Sequence, residues 1–234
     1  MRVHLIHAHS EADSFVAAMR DVIVDEFQAQ GANVSVSDLY AMGFNPVASA
    51  DDFTSRKNPD HLVTALEQRH GFETGSLAND IAAEVEKLLA ADIIAFTFPL
   101  HWFSVPAILK GYIDRVFLSG PFYGGRRIYA QGGLAGKRAF AAFSLGGREH
   151  MFGENTIHGP LETGMMRHFF QGTLGYVGLA VHKPFIAHHV PYLDDDARLE
   201  LLDSLGRYVR DLEEQPFMEM PDLSLFDETF KPKS

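Results

Sequence analysis

Aromatic side chains between Leu100 and Phe103 stand where a predicted strand gives way to a predicted helix. The apolar run at residues 93–97 predicts a buried strand, and Pro106 followed by apolar residues at three- and four-residue steps predicts the helix. In open α/β sheets, ligands bind just beyond the carboxyl ends of the strands. The loop therefore predicts a wall for a flat aromatic cofactor, although Trp102 and Phe103 would also suit ordinary core packing.

The loop from His9 to Phe15 lies between the first predicted strand and the first predicted helix. Backbone N–H groups and the positive end of a helix dipole favour a phosphate at such a place, and the Ser14 hydroxyl can add a donor. Asp13 or Ser14 would equally serve as the helix cap, which does not prevent phosphate binding. The loop does not contain the glycine-rich dinucleotide fingerprint.

A third loop, Ser144-Leu145-Gly146-Gly147, follows another predicted strand. Paired glycines let the backbone approach the edge of a ring and direct N–H groups at its pyrimidine oxygens. A tight turn is the alternative, because Gly-Gly forms one equally well. If the three strands are parallel, the three loops converge on one edge of the sheet.

Strands and helices alternate along the chain, which favours a parallel sheet with helices on both faces. The residue patterns predict strands near 3–9, 33–37, 92–98, 137–144 and 179–187, and helices near 14–30, 77–89, 106–116, 161–170 and 194–212. Residues 40–76 lack strong periodicity, so we expect a long irregular excursion with a functional or interfacial role. The fold expected is a flavodoxin-like, doubly wound α/β sheet of five parallel strands, order 2-1-3-4-5. We expect one domain over residues 1–215 and a C-terminal tail, 216–234, that contacts a second subunit or packs on its own.

Composition excludes several classes of function. A net charge of −11 argues against nucleic acid as a partner, and the absence of cysteine excludes disulfides, thiolate catalysis and iron–sulfur clusters. No apolar run approaches the roughly 20 residues that span a bilayer, so we expect no membrane span and a cytoplasmic protein. We expect no metal, because His4 alternates away from His7 and His9 along the strand.

Several short motifs keep one order and spacing from the first strand to the tail. They are Ala8-His9-Ser10-Glu11, Ser14-Phe15, Ser37-Asp38-Leu39-Tyr40-Ala41-Met42, Phe44-Asn45-Pro46, Pro99-Leu100, Trp102-Phe103, Val105-Pro106-Ala107-Ile108-Leu109-Lys110-Gly111, Gly146-Gly147, Met151, Ile157-His158-Gly159, Ala197-Arg198 and Ser224-Leu225-Phe226-Asp227. In these motifs the chain resembles the NAD(P)H:quinone oxidoreductases of the DT-diaphorase type, and the loop around Trp102 resembles their flavin-contacting loop.

The resemblance implies FAD as the cofactor, with FMN the second choice because some shorter relatives use it. It implies cofactor contacts from His9, Ser14, Phe15, Val16, Leu100, His101, Trp102, Phe103, Ser144, Leu145, Gly146, Gly147, Phe152 and Arg198. It implies a substrate slot formed by Trp102, Phe103, Phe122, Tyr123, Gly124 and His158. NADH or NADPH and then a quinone-like acceptor would use this one slot in turn, which predicts ping-pong kinetics.

His158 is the residue that we expect to act in catalysis. Hydride arrival on a flavin leaves negative charge at its N1–C2=O edge, and a donor that can become cationic stabilises that charge and later returns a proton. Histidine changes charge near neutral pH and suits both tasks. In the family a Tyr shares this role, but Phe152 stands at its position here, and losing one such donor costs on the order of 3 kcal/mol. A helix-start histidine without a catalytic role is the alternative.

The segment from Tyr123 to Arg127 departs from the family pattern. Tyr123 matches one of two lid tyrosines, but the second falls at Gly125, so we expect a more flexible and more basic segment. Arg126 and Arg127 would attract an anionic acceptor or the 2′-phosphate of NADPH, or remain solvated surface charges. Elsewhere, Val16 and Val63 replace an Asn and a Gln that contact FAD in relatives.

The sequence thus predicts a flavin-dependent NAD(P)H:quinone oxidoreductase that transfers two electrons as hydride. The resemblance also implies a homodimer whose active sites lie at the interface. Two other functions stay open, namely a flavin-binding regulatory subunit of an ion-efflux system and an azo- or nitro-reductase that uses FMN. The sequence neither names the physiological acceptor nor decides between NADH and NADPH.

Overall fold

Six parallel strands form the central sheet in residues 1–233, which are the residues that the computed structural model describes. They are β1 (Arg2–His7), β2 (Asn33–Asp38), β3 (Ile93–Pro99), β4 (Arg138–Ser144), β5 (Ala180–Val181) and β6 (Phe185–Ala187). Their order is β2-β1-β3-β4-β5, and β6 also pairs with β4. The predicted flavodoxin-like order is therefore confirmed, with the fifth strand divided into two short pieces.

The break in the fifth strand lies at Lys183 and Pro184. Proline has no N–H to donate to a neighbouring strand, so the ladder cannot run through this position. Pairing with β4 resumes at Phe185. The segment after the last long helix pairs beside the break instead, where Lys183 N donates to Pro216 O at 2.8 Å and Met218 N donates to Val181 O at 2.7 Å. The start of the tail thus packs on its own chain.

Helices cover both faces of the sheet. The α-helices are α1 (Phe15–Ala29), α2 (Thr64–Thr74), α3 (Asn79–Ala90), α4 (Ala107–Val116), α5 (Arg167–Phe169) and α6 (Asp195–Arg210). Wider turns at Leu161–Met165 and Phe170–Gly175 flank α5, and single 3-10 turns occur at Ala50–Asp52, Tyr129–Gln131, Glu149–Met151, Val190–Tyr192, Leu212–Glu214 and Leu223–Leu225. Within residues 1–233, no helix has both the length and the apolar character needed to cross a bilayer.

Alternate strand residues face the two helical layers. Leu5 packs with Met19 of α1 and Leu205 of α6, whereas Ile6 packs with the core beneath α3 and α4. Both strand residues have no exposed surface. Because the central strands β1, β3 and β4 are covered on both faces, their carboxyl ends are held rigidly, and the loops that follow them inherit fixed positions.

Helix α2 lies within the stretch that we expected to be irregular, so that prediction was wrong in part. Its buried face carries polar residues, which hides the apolar periodicity. Glu67 accepts hydrogen bonds from the N–H groups of Lys57 and Asn58 at 2.7 and 2.9 Å. Gln68 donates to Asp114 O at 2.9 Å and accepts from Ser119 N at 3.1 Å. Hydrogen bonds rather than apolar contacts therefore fix α2 beside the end of α4.

Candidate functional site

Three loops meet at the carboxyl edge of the sheet and enclose a cleft of about 320 Å³. Its walls are His9, Phe15, Val16, Pro99, Leu100, His101, Ser144, Leu145, Gly146, Val190 and Pro191. Leu100 N donates to Ser144 O at 2.7 Å, which ties the second loop to the third. Ala8 N donates to Thr97 O at 2.9 Å and holds the first loop against β3. The structure thus brings together residues that the sequence predicted from all three loops.

The aromatic loop has an unusual backbone. Trp102 and Phe103 have φ angles of 51° and 56°, in the left-handed region. Such a conformation costs a non-glycine residue roughly 1–2 kcal/mol. His101 and Ser104 close the loop by exchanging backbone hydrogen bonds of 3.0 and 2.9 Å. The result projects the Trp102 ring away from the chain, with 96% of the residue exposed.

A serine–histidine pair anchors this loop from a distant part of the chain. Ser104 Oγ lies 3.0 Å from His168 Nε2. On its other side, His168 Nδ1 lies 2.9 Å from Met165 O and must donate to that carbonyl. Nε2 of a neutral His168 is then an acceptor for the Ser104 hydroxyl. Sequence reasoning missed both residues, because 64 positions separate them and neither belongs to a motif.

Three rings converge beside the aromatic loop. The ring centroid of His158 lies 5.3 Å from that of Phe103 and 5.1 Å from that of Phe152. Phe152 also packs on the backbone of Gly147, where an added Cβ would lie only 2.8 Å from Phe152 Cε2. Gly147 is thus required for this close approach. His188, which the sequence did not single out, extends the cluster with its ring 5.8 Å from Phe152.

Backbone donors are available along the same edge. Within residues 1–233, no acceptor takes the N–H groups of Gly146, Gly147, Trp102 or Phe103. Backbone N–H groups are strong donors that seek partners when they are covered. They therefore suit the polar edge of a bound ring.

His7 is the last residue of β1, two residues before His9 of the cleft wall, and is 1% exposed. Its Nδ1 lies 2.8 Å from Thr97 Oγ1. Burial lowers the pKa of His7 to about 4, despite the opposing charge of Asp38. Burial also lowers the pKa of His9, whose Nδ1 accepts the N–H of Glu11 at 3.0 Å. His7 is therefore neutral near neutral pH and places no positive charge at the end of β1.

A second cleft of about 490 Å³ continues the first along α1 and α6. The two share Phe15, Val190 and Pro191, and the second adds Ser14 and Arg198. Ser14 Oγ accepts the N–H of Ala17 at 3.1 Å, so Ser14 caps α1 and keeps its hydroxyl proton free to donate. Arg198 Nε is buried and has no hydrogen-bond partner in residues 1–233. The two clefts together form an elongated trough, in which Ser14 and Arg198 offer hydroxyl and guanidinium donors and Asp13 and Asp195 place carboxylates on the same wall.

The predicted lid residues lie elsewhere in the chain. Phe122 is fully buried, its carbonyl accepts Gly133 N at 2.8 Å, and the Tyr123 ring packs 5.7 Å from that of Tyr176. Helix α4 connects the parallel strands β3 and β4, so it returns the chain from the carboxyl end to the amino end of the sheet, and its ten residues rise about 15 Å. Phe122, Tyr123 and Gly124 therefore lie near the amino end of the sheet. One chain does not bring them to the cofactor cleft.

Comparisons with known proteins agree with the fold described above. The profile of the flavodoxin-like fold family matches residues 1–209. The NAD(P)H dehydrogenase [quinone] 1 of Cavia porcellus is 35% identical over 98% of this chain and 84% of its own length. The ribosyldihydronicotinamide dehydrogenase [quinone] of Homo sapiens is 38% identical over 80% of each chain. A solved structure from Klebsiella pneumoniae, assigned as a quinone reductase, superposes with a TM-score of 0.88 at 33% identity, covering 93% of this chain and 86% of that one.

Proposed function

The chain belongs to the NAD(P)H dehydrogenase (quinone) family of flavodoxin-like fold, and from this membership we propose that it is a flavin-dependent reductase of quinone-like acceptors. The observation that carries the proposal is the meeting of the left-handed Trp102–Phe103 pair, the Gly146–Gly147 turn and His158 at one sheet edge. An aromatic wall, free backbone donors and an ionisable side chain are what two-electron reduction on a flat ring requires.

We propose FAD, rather than FMN, as the cofactor. FMN would fill the cleft beside Leu100, whereas FAD would also occupy the adjoining cleft, where Ser14 and Arg198 can receive its phosphates. Arg198 Nη1 already lies 3.2 Å from Asp195 Oδ1, whereas its Nε has no hydrogen-bond partner within residues 1–233 and is the donor that a phosphate would take. When bound, FAD would accept a hydride from NAD(P)H and release it to the acceptor.

The side chains around the cleft have distinct roles in this proposal. His158 would donate a proton to the acceptor oxygen and balance negative charge at the cofactor edge, together with the free N–H groups of Gly146 and Gly147. Trp102 and Phe103 would hold a flat acceptor by ring contact. Phe152 lacks a hydroxyl and would contribute shape only.

We also propose that the active site is completed by a second copy of the chain. Because α4 carries the chain to the other end of the sheet, Tyr123 and Gly124 can cover a cofactor cleft only if it belongs to another chain, and the fully buried Phe122 can only support them from the core. A complementation experiment tests this, since a Tyr123→Ala variant and a His158→Ala variant damage different parts of the site. Random pairing in a mixed preparation would restore up to about a quarter of the parent activity. Activity no greater than that of the separate variants would refute the shared site.

Cofactor analysis and turnover together test the activity. The purified protein should be yellow, and mass spectrometry of the released cofactor should give the mass of FAD. It should then oxidise NADH or NADPH in the presence of a simple benzoquinone, with parallel lines in double-reciprocal plots. Tight flavin retention with negligible turnover would favour a regulatory subunit instead, and colourless protein that no flavin reconstitutes would refute the proposal.

A further inference from the structure

A basic cavity of about 500 Å³ lies at the amino end of the sheet, apart from the cofactor trough. Its walls include Arg69, Phe72, Glu73, Tyr123 and Arg127, and the glycines of the 120–125 turn complete it. The chain as a whole carries a net charge of −11, so a cavity with two guanidinium groups differs in charge from most of the protein. Nothing in the proposed chemistry at His158 uses them.

Arg69 is fitted into the turn by two glycines. A Cβ at Gly120 would lie 3.0 Å from Arg69 Cγ, and a Cβ at Gly124 would lie 3.0 Å from Arg69 Nη2. Both glycines also have positive φ angles, of 102° and 144°. Side chains at these positions would therefore displace the guanidinium. Within residues 1–233, the one polar side-chain contact of the Arg69 guanidinium is Ser119 Oγ at 3.5 Å, and no carboxylate lies within ion-pair distance.

The neighbouring arginines have different surroundings. Arg127 Nη1 donates to the carbonyls of Gly120 and Pro121 at 3.0 and 3.1 Å, which fixes the side chain and leaves its other nitrogens without partners in the described chain. Arg126 points elsewhere, with its guanidinium carbon 5.6 Å from the centre of the Phe230 ring. Of this pair, Arg127 therefore faces the cavity and Arg126 does not.

Two guanidinium forks beside two aromatic rings recognise a phosphate monoester attached to a flat base. The forks bind the phosphate oxygens in pairs, and the rings of Phe72 and Tyr123 offer a surface for stacking. Phe72 is 40% exposed and available for this contact. We propose that this cavity binds the adenosine 2′-phosphate of NADPH and makes NADPH the preferred hydride donor.

The proposal rests on the NAD(P)H-dependent activity proposed above and names its coenzyme. The lid lies far from the cleft of its own chain, so in the proposed homodimer the cavity serves the coenzyme bound at the other copy. Glu73 also lines the cavity and opposes a dianion there. Because both arginines are exposed to solvent, the preference for NADPH weakens as salt concentration rises.

The test compares kcat/KM for NADPH and NADH with a benzoquinone acceptor. Arg69→Gln should lower the NADPH:NADH ratio by about tenfold, the usual worth of one charge-assisted hydrogen bond. Arg69→Lys should lower it less, and Glu73→Gln should raise it. Arg126→Gln is the matched control, since it removes one positive charge next to Arg127 in the chain without touching the cavity, and its ratio should equal that of the parent.

Direct binding separates this proposal from the proposed activity. Adenosine 2′-phosphate should bind more tightly than adenosine 5′-phosphate, and Arg69→Gln should abolish the difference. A parent enzyme that turns over but shows equal ratios for Arg69→Gln and Arg126→Gln would overturn the coenzyme site and leave the reductase activity standing. If neither coenzyme supports turnover, the proposed activity fails, and equal binding of the two nucleotides would then overturn the cavity as well.

Discussion

Replacing Phe152 by tyrosine should accelerate reduction of the bound cofactor. Phe152 Cζ would lie 3.0 Å from a Cβ built on Gly147, and glycine leaves that space open. A hydroxyl on Cζ would therefore lie close to Gly147. The Phe152 and His158 ring centroids are 5.1 Å apart, so the new donor and the imidazole would act on the same edge of the cofactor.

The expected increase in rate follows from the transition-state stabilisation that one preorganised donor contributes. Removing one such donor from an active site typically costs about 3 kcal/mol, or about 100-fold in rate, so adding one has this as its upper limit. In the proposed mechanism His158 and the Gly146–Gly147 amides would already stabilise part of the charge, and donors that act on one group are not additive. We therefore expect about a tenfold gain in the rate of the first hydride transfer.

Stopped-flow mixing with saturating NADPH measures this step as the loss of flavin absorbance in a single turnover. The double variant Phe152→Tyr with His158→Asn provides the matched comparison, because the gain should be larger where the imidazole is absent. Cofactor mass and content must be equal in all variants. An unchanged rate in Phe152→Tyr with full cofactor content would refute the argument that the missing hydroxyl limits charge stabilisation.

Three further predictions concern the trough, the aromatic loop and the buried histidine. Arg198→Gln should weaken FAD about tenfold while affecting FMN less, as measured by reconstitution of the apoprotein with each cofactor, and equal losses would contradict a phosphate contact. Ser104→Ala should remove the contact between the loop and His168 and raise KM for the quinone more than it lowers kcat. It should also alter the fluorescence of Trp102, the single tryptophan of the chain. Unchanged KM and emission would show that the Ser104–His168 pair does not position the loop. The pKa of His7 is lowered to about 4 in the folded chain, so as the pH falls the unfolded chain binds a proton at this residue at a higher pH than the folded chain does. Stability should thus fall by up to about 3 kcal/mol as pH drops from about 6.5 towards 4, and His7→Asn should flatten this dependence in urea unfolding at the two pH values.

The sheet was predictable because β1, β3 and β4 are buried on both faces and read as apolar runs between turn residues. The fifth strand was harder to predict, because Pro184 interrupts an apolar pattern that otherwise continues. The start of the tail forms backbone hydrogen bonds beside that break. Helix α2 was missed because Glu67 and Gln68 occupy its buried face and are satisfied by backbone groups distant in sequence. Apolar periodicity reports a buried face only when that face is apolar.

The candidate site also has parts that the sequence could predict and parts that it could not. The loops after β1, β3 and β4 could be placed together because parallel strands end at one edge. The positions of Phe152 and His158 came from family resemblance, and their roles remain predictions. The lid at Phe122–Gly124 was assigned to the substrate slot by resemblance alone, and the return of the chain along α4 between two parallel strands places it at the opposite end of the sheet from the cleft of its own chain.

The Trp102–Phe103 turn borders the candidate site and has a backbone conformation that its residue types do not predict. Left-handed backbone predicts glycine or asparagine, yet two bulky aromatic residues adopt it in succession. The ring of Phe103 offsets its conformational cost by packing against Phe152 and His158. The exposed ring of Trp102 makes no such contribution to the stability of a single chain. Its conformation therefore serves whatever lies against the ring, in agreement with the general observation that backbone strain concentrates at functional sites.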